Sequence, residues 1–429
     1  MKFAFFVHYF PPLNSTGARR VESFAKYLSR NGHEIVVVST KKSTLDGPLT
    51  EAVPPYVRLF EINALGKVAE PNSGTDLAGV ELVSLKKRIH WTRRVKQKLM
   101  RLIGQVLDPR IGFPLGIRSR NLDARVVAEL ASADVFVSSF PPWPMHLAAM
   151  VAKRRFDKPW LIDYRDQFGD NHVMSGVWPF TAIERLLDRW FVKSADVVTV
   201  ISPPMKEYYD SLHTNVFCIE NGFDQETIEI ARKQAVSEPN SVPVVRYLGT
   251  IVRDAIPVNF VAAVARIAST IEKPIFRVEL RGDTRLLEDH IRQTAPHLIG
   301  TWFVFLPRIS AFESLCEMLT ANVLLFVSTA DVSSLSAKGV LTTKLFEYLA
   351  SGRPIIAETS AGTLAASYIR KASDIHVVSQ SVDEIQSALI EFTTCPKEVY
   401  TSEFVSTLTR EKKAIEFSSL ASIVVGRAP

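Results

Sequence analysis

Four stretches of this 429-residue chain set polar or flexible residues directly after apolar, strand-like runs, the place where α/β sheets gather their chemistry. GVLTTKLFEYLASGRPIIAET puts Thr342, Thr343 and Lys344 at a helix start and Glu347 one turn on, before Gly352 to Pro354 break into the next run. A lysine at a helix N-terminus suits a phosphate, and a glutamate there has two oxygens for a pair of ribose hydroxyls. In an ordinary helix the same two residues would be i, i+3 support. RYLGTIVRD places Gly249 and Thr250 after a strand with Arg253 nearby. That grouping suits a diphosphate held by backbone N–H groups and a guanidinium fork, although Arg253 read alone is equally a solvated charge.

KPWLIDYRDQFGD brings Asp163, Arg165 and Asp166 to the end of an apolar run. There they can act as acid/base groups or sugar-hydroxyl clamps, or tie down a loop as an Asp–Arg pair. HYFPPLNSTGARR offers Gly17, whose missing Cβ lets a strand-to-helix loop approach a ligand closely. The GxGxxG fingerprint is absent, which argues against a nicotinamide enzyme. Asn221 and Gly222 of IENGFDQE read as a turn.

The elements that must position these residues follow from the hydrophobic pattern. KFAFFVH, EIVVVST, DVFVSS, PWLIDY and VVTVIS are short β-branched or aromatic runs separated by segments of helical period. Apolar on both faces, they predict parallel strands covered by helices on either side: an α/β chain of two Rossmann-like, doubly wound domains. The alternation pauses at residues 225–242 and restarts with VVRYLG, IFRVELRG, WFVFLP and VLLFVS. This divides the chain into a first domain over 1–225, a second over 243–404, and a closing helix over 405–429 that crosses back to the first. Ligands of open α/β sheets bind beyond the carboxyl ends of the strands, so a cleft between the domains is the expected site.

Length and a 47% hydrophobic content allow each domain its own core. The start reads as a buried strand rather than a signal peptide, and no run of about 18 uncharged apolar residues predicts a membrane-spanning helix. Cys218, Cys316 and Cys395 are scattered without CxxC spacing, which argues against a disulfide framework or a zinc site and fits a reducing cytosol.

The net charge of +6 is concentrated. Between Glu81 and Asp108 there is no acidic residue, while Lys86, Lys87, Arg88, Arg93, Arg94, Lys96, Lys98 and Arg101 are interleaved with Trp91, Val95, Leu99, Leu102 and Ile103. Residues 82–107 thus read as a basic amphipathic helix suited to an anionic membrane surface and a lipid-linked acceptor, or as a solvated hairpin. No nucleic-acid module accompanies the charge, so a nucleic-acid partner is not expected.

Taken together, HYFPP-x4-G-x-R, the PP of SSFPPWP, DYRDQF, ENGFD, YLGT and above all TKLFEYLASGRPIIA resemble, in this order and over nearly the whole chain, the retaining glycosyltransferases of the GT-B type, family 4. The resemblance implies transfer of a sugar from a nucleotide-sugar donor to an acceptor, with retention of configuration and without a metal or other cofactor. It implies that Glu347 binds the donor ribose, that Arg253 and Lys344 bind the diphosphate, and that Gly17 belongs to the loop closing over the donor phosphates. Asp166, with Asp163 and Arg165, would line the acceptor side.

Where many members carry a glutamate eight positions before the ribose-binding one, this chain has Gly339, with Ser336 or Lys338 as nearby replacements. The implied setting is synthesis of a surface glycan from cytosolic donors at the inner face of a membrane. The alternatives are a nucleotide-sugar epimerase of the same fold and a catalytically inactive partner subunit.

Overall fold

The computed structural model describes residues 1–68, 102–171, 174–235, 242–271, 273–328, 332–395 and 397–426. It divides into two compact units, one comprising residues 1–220 with 414–429 and the other residues 221–413. The helix α7 (Gln225–Gln234), in the stretch where the sequence pattern pauses, therefore belongs to the second unit. Most of the basic segment 82–107, namely residues 82–101, lies outside the described residues.

The first unit is a seven-stranded parallel sheet in the order β3-β2-β1-β4-β5-β6-β7. Its strands are β1 (Lys2–Phe6), β2 (Glu34–Thr40), β3 (Val57–Ile62), β4 (Val135–Phe140), β5 (Trp160–Tyr164), β6 (Val197–Val200) and β7 (Val216–Cys218). They alternate with α1 (Arg19–Arg30), α2 (Gly112–Arg118), α3 (Ala124–Ala131), α4 (Pro144–Phe156), α5 (Phe180–Ser194) and α6 (Pro203–Asp210). Side chains of a strand point alternately to its two faces, and both faces are dry here. Ala4, Phe6, Phe136, Trp160 and Ile162 join one core with α4, whereas Phe3, Phe5, Val137 and Leu161 join another with Val21, Phe24, Ala25 and Leu28 of α1. The i, i+3, i+4, i+7 spacing of those four α1 residues makes that helix a lid on the sheet.

The second unit is a six-stranded parallel sheet in the order β10-β9-β8-β11-β12-β13. Its strands are β8 (Val244–Leu248), β9 (Arg277–Arg281), β10 (Phe303–Leu306), β11 (Val323–Val327), β12 (Ile355–Glu358) and β13 (Val377–Val378). The helices are α7, α8 (Val258–Thr270), α9 (Arg285–Thr294), α10 (Ala311–Thr320), α11 (Leu335–Lys338), α12 (Thr343–Ala350), α13 (Leu364–Ala372), α14 (Val382–Thr394) and α15 (Glu403–Ser406). The closing helix α16 (Arg410–Val425) leaves this unit at Lys413 and ends in the first, where Phe417 stacks on Phe24 with centroids 4.5 Å apart.

In each sheet the strand order reverses once, between β1 and β4 and between β8 and β11. Ligands of open α/β sheets bind at such switch points, beyond the carboxyl ends of the strands.

Candidate active-site residues

At the switch point of the first unit the three charged residues of DYRD are separated by the fold. Asp163, the fourth residue of β5, points into the sheet wall and is 1% exposed. Arg20 of α1 donates to it from Nη2 at 2.8 Å and from Nε at 3.1 Å, and the hydroxyls of Ser139 and Thr199 donate at 3.0 and 2.9 Å. Burial pushes the Asp163 carboxyl up, but Arg20 and these donors outweigh it and hold the group below its ordinary value. With every lone pair directed inward, Asp163 positions β4, β5, β6 and α1 and is not open to a ligand. Of the roles the sequence left open, this geometry is that of an Asp–Arg pair tying the loop down.

Arg165 is half-buried and likewise directed at protein. Its Nη2 donates to the Pro141 carbonyl at 2.7 Å, its Nε to Phe140 O at 3.3 Å and its Nη1 to Gly17 O, and the guanidinium lies 5.3 Å from the Tyr9 ring centre. A Cβ on Gly17 would meet Arg165 Nη1 at 2.8 Å and Tyr9 Cγ at 3.1 Å. The glycine is thus needed for packing of the β1–α1 loop against Arg165. Asp166 alone of the three is exposed. Protein crowding raises its carboxyl, against the opposing charge of Arg165.

Next to this loop lies a cluster that spacing in the sequence gave no sign of. His8, just past β1, is buried, and its Nδ1 lies 2.7 Å from Thr40 Oγ1. Its Nε2 lies 3.5 Å from Asp46. Burial, followed by the charge of Arg110, lowers its pKa to about 3, so the ring is neutral. Lys42 is buried beside it and pairs with Glu61 at 2.8 Å.

The second unit presents its residues differently. Lys344 lies in the first turn of α12, and its ammonium is 3.9 Å from the centre of the Tyr247 ring. A Cβ on Gly249 would meet Lys344 Nζ at 3.2 Å, and Gly249 holds a φ of +146°, which glycine adopts without strain. The Tyr247 hydroxyl donates to Thr250 O at 2.8 Å, fixing the turn that follows β8. Gly282 (φ +116°) comes so near that a Cβ there would lie 2.0 Å from Gly249 O, a second glycine requirement missed from the sequence. Burial lowers the Lys344 pKa to about 7, with Glu347 opposing the shift from one turn away. Thr342 caps α12 with no side-chain hydrogen bond, so the first N–H groups of the helix are left to other acceptors.

Thr343 and Glu347 are half-buried, and Thr250 and Arg253 are exposed, Arg253 in a 3₁₀ turn over Arg253–Ala255. The structure therefore brings Lys344, Gly249 and Tyr247 together, while Arg253 lies outside that contact set. Gly339 ends α11; beside it Lys338 is exposed and Ser336 buried. Glu358, at the end of β12, accepts from the N–H groups of Asn259 and Phe260 at 3.1 and 2.7 Å and so caps α8. The three cysteines are free. Among the described residues no three His, Cys, Asp or Glu side chains converge as a metal site requires, and no helix is long and apolar enough to cross a membrane.

Residues 15–215 match the glycosyl transferase 4-like domain. No curated protein matches the chain by sequence. Among solved structures, the chain is similar over 99% of its length to sucrose-phosphate synthase from Thermosynechococcus elongatus, with 16% identity, 99% of that chain covered and a TM-score of 0.64. It is similar over the same share to Anabaena HepE in complex with UDP and glucose (13% identity, 97% of that chain, TM-score 0.51). A third likeness is to UDP-GlcNAc 2-epimerase from Methanocaldococcus jannaschii (10% identity, 99% of this chain and 100% of that one, TM-score 0.52). At such identities the structures establish the GT-B fold. The match of residues 15–215 to the glycosyl transferase 4-like domain, on this fold, supports a glycosyltransferase.

Proposed function

We propose that the chain moves a sugar from a nucleotide-sugar donor to an acceptor with retention of configuration and without a metal, the donor being held by the second unit. The observation that carries this reading is Lys344. Its ammonium lies on an aromatic face beside a glycine turn, at the N-terminus of α12, and no described residue hydrogen-bonds to it. A nucleoside diphosphate supplies the missing negative charge. Glu347 takes the ribose hydroxyls, and Gly249, Thr250, Thr343 and Arg253 complete the phosphate contacts. As the glycosidic bond breaks, negative charge grows on the departing diphosphate, and Lys344 with the helix N-terminus stabilises it more than it stabilises the bound substrate.

On the first unit, Asp166 serves the acceptor, and Arg165 fastens the Gly17 loop that the family resemblance assigns to the donor phosphates. Because the Anabaena neighbour was solved with UDP and glucose, uridine nucleotides are the first donors to try. The absence of acidic residues from 82 to 107 supports an acceptor that is lipid-linked or part of a surface glycan, reached from the cytosolic side of a membrane.

The test is a thermal-shift screen of nucleoside diphosphates and nucleotide sugars on the wild type and on Glu347→Ala, followed by transfer assays with and without EDTA and NMR of the product anomer. Expected is stabilisation by one nucleotide family that Glu347→Ala abolishes, and an EDTA-resistant product with the anomeric configuration of the donor. A 2-epimerised nucleotide sugar with no transfer product would establish the epimerase alternative, and donor binding with no turnover the inactive-subunit one.

A further inference from the structure

On the first unit, α5 turns Glu184, Asp188, Phe191 and Val192 inward. On its opposite side Ile183, Leu186 and Trp190, at i, i+3 and i+7, form a line open to solvent, with Leu186 65% and Trp190 42% exposed. Trp178, just before the helix, is 81% exposed. The neighbouring Val177 donates its N–H to Leu102 O at 2.8 Å, which brings two more exposed apolar side chains alongside. Single exposed apolar residues are ordinary in soluble proteins, but a continuous set that includes two tryptophans marks an interaction surface.

Charge specifies the partner. Arg185, Arg189 and Lys193, at i, i+4 and i+8, run beside the apolar line and are all exposed. Arg185 pairs with Asp170 at 2.6 Å. Both acidic residues of α5, Glu184 and Asp188, are buried, so its outward face is apolar and cationic with no negative group. An apolar line carrying tryptophan and flanked by cations fits the boundary between lipid headgroups and acyl chains. There indole rings settle at headgroup depth and cations meet phosphate.

We infer that this face of α5, entered through Trp178, docks on an anionic lipid surface. The inference deepens the membrane-side reading given above, on which it rests, and it uses residues separate from 82–101. Docking here would hold the first unit at the membrane by shallow insertion, without a spanning segment.

The experiment is co-sedimentation of the full chain with phosphatidylcholine vesicles, with and without phosphatidylglycerol. It compares wild type, Trp178→Gln/Leu186→Gln and Arg189→Glu/Lys193→Glu, with analytical ultracentrifugation of each. Expected is wild-type binding that needs the anionic lipid, a loss of roughly tenfold or more in partitioning for the apolar variant, and for the charge variant a comparable loss together with loss of salt dependence. Transfer to a water-soluble acceptor and circular dichroism should stay unchanged. All four side chains are exposed, and the unchanged circular dichroism and soluble-acceptor transfer are the folding controls for both variants.

Wild-type binding that survives in both variants overturns the assignment to α5 and leaves the membrane reading to residues 82–107. A wild type that ignores all vesicles overturns both. A wild type that instead self-associates, with variants that do not, reassigns the face to a protein contact.

Discussion

The two switch points treat their cations in opposite ways. In the first unit Arg20 meets Asp163 and the carbonyls of Ile219 and Glu220, and Arg165 meets three further carbonyls. The N–H groups of each are taken up by the fold and fasten strand ends together. In the second unit the pKa of the half-buried Lys344 is lowered to about 7 by crowding, with its ammonium on a ring face and Glu347 as the opposing charge one turn away. A charge whose N–H groups the fold takes up is structural; one set on a ring face is, on the reading proposed above, directed at a ligand.

Breaking the first kind of contact should cost stability. Arg20→Met leaves the Asp163 carboxylate buried and unpaired, a loss of about 3–5 kcal/mol in denaturant unfolding. The sign of its pH dependence follows from Asp163. A carboxyl held below its ordinary value stabilises the fold above that value, and the contribution fades as pH falls through the native one, so wild type and variant should converge in acid.

Removing the second kind should cost function. Lys344→Met is expected to lower kcat/KM for transfer by roughly 10²–10³-fold, while the ligand-free protein becomes no less stable to heat. Between these, Gly17→Ala forces Arg165 and Tyr9 apart and should lose about 1–3 kcal/mol of stability, together with activity if the loop must hold its place.

The smallest effect is on pH. With its pKa near 7, Lys344 must gain a proton to hold a diphosphate in neutral solution. Nucleotide affinity measured by calorimetry should therefore fall above pH 7, by up to about tenfold per unit, with net proton uptake that vanishes in Lys344→Met. Unliganded stability runs the other way. The unfolded chain binds the extra proton between about 7 and 10.5, so this lysine makes the fold more stable as pH rises across that window.

Most strands of both sheets were legible because a doubly covered parallel strand has no polar face, whereas β3, interrupted by Arg58 and Glu61, and the two-residue β13 were not; TTKLFEYLASGRP was legible because its helix start and its lysine coincide. The partner of Asp163 was not legible because Arg20 lies 143 positions away, and local spacing carries no record of such a pair. His8, Lys42 and Gly282 were missed for the same reason: their meaning lies in the loops that come to rest beside them. The division between the units falls at Glu220 and Asn221, where the pattern shows only a turn, and the polar helix α7 occupies Gln225–Gln234 within the pause.

The closing helix also sets an order of events during biosynthesis. Phe417 lies against Phe24 and Phe3, Ser418 bonds to His33, and the amino group of Met1 meets that same histidine at 3.0 Å. A nascent chain emerging from the ribosome can build the first sheet early, but the part of one apolar face that α1 leaves open stays bare until nearly 200 residues of the second unit have followed. Its earliest strand waits for its last helix, and chaperone dependence during translation should track how long that face remains bare.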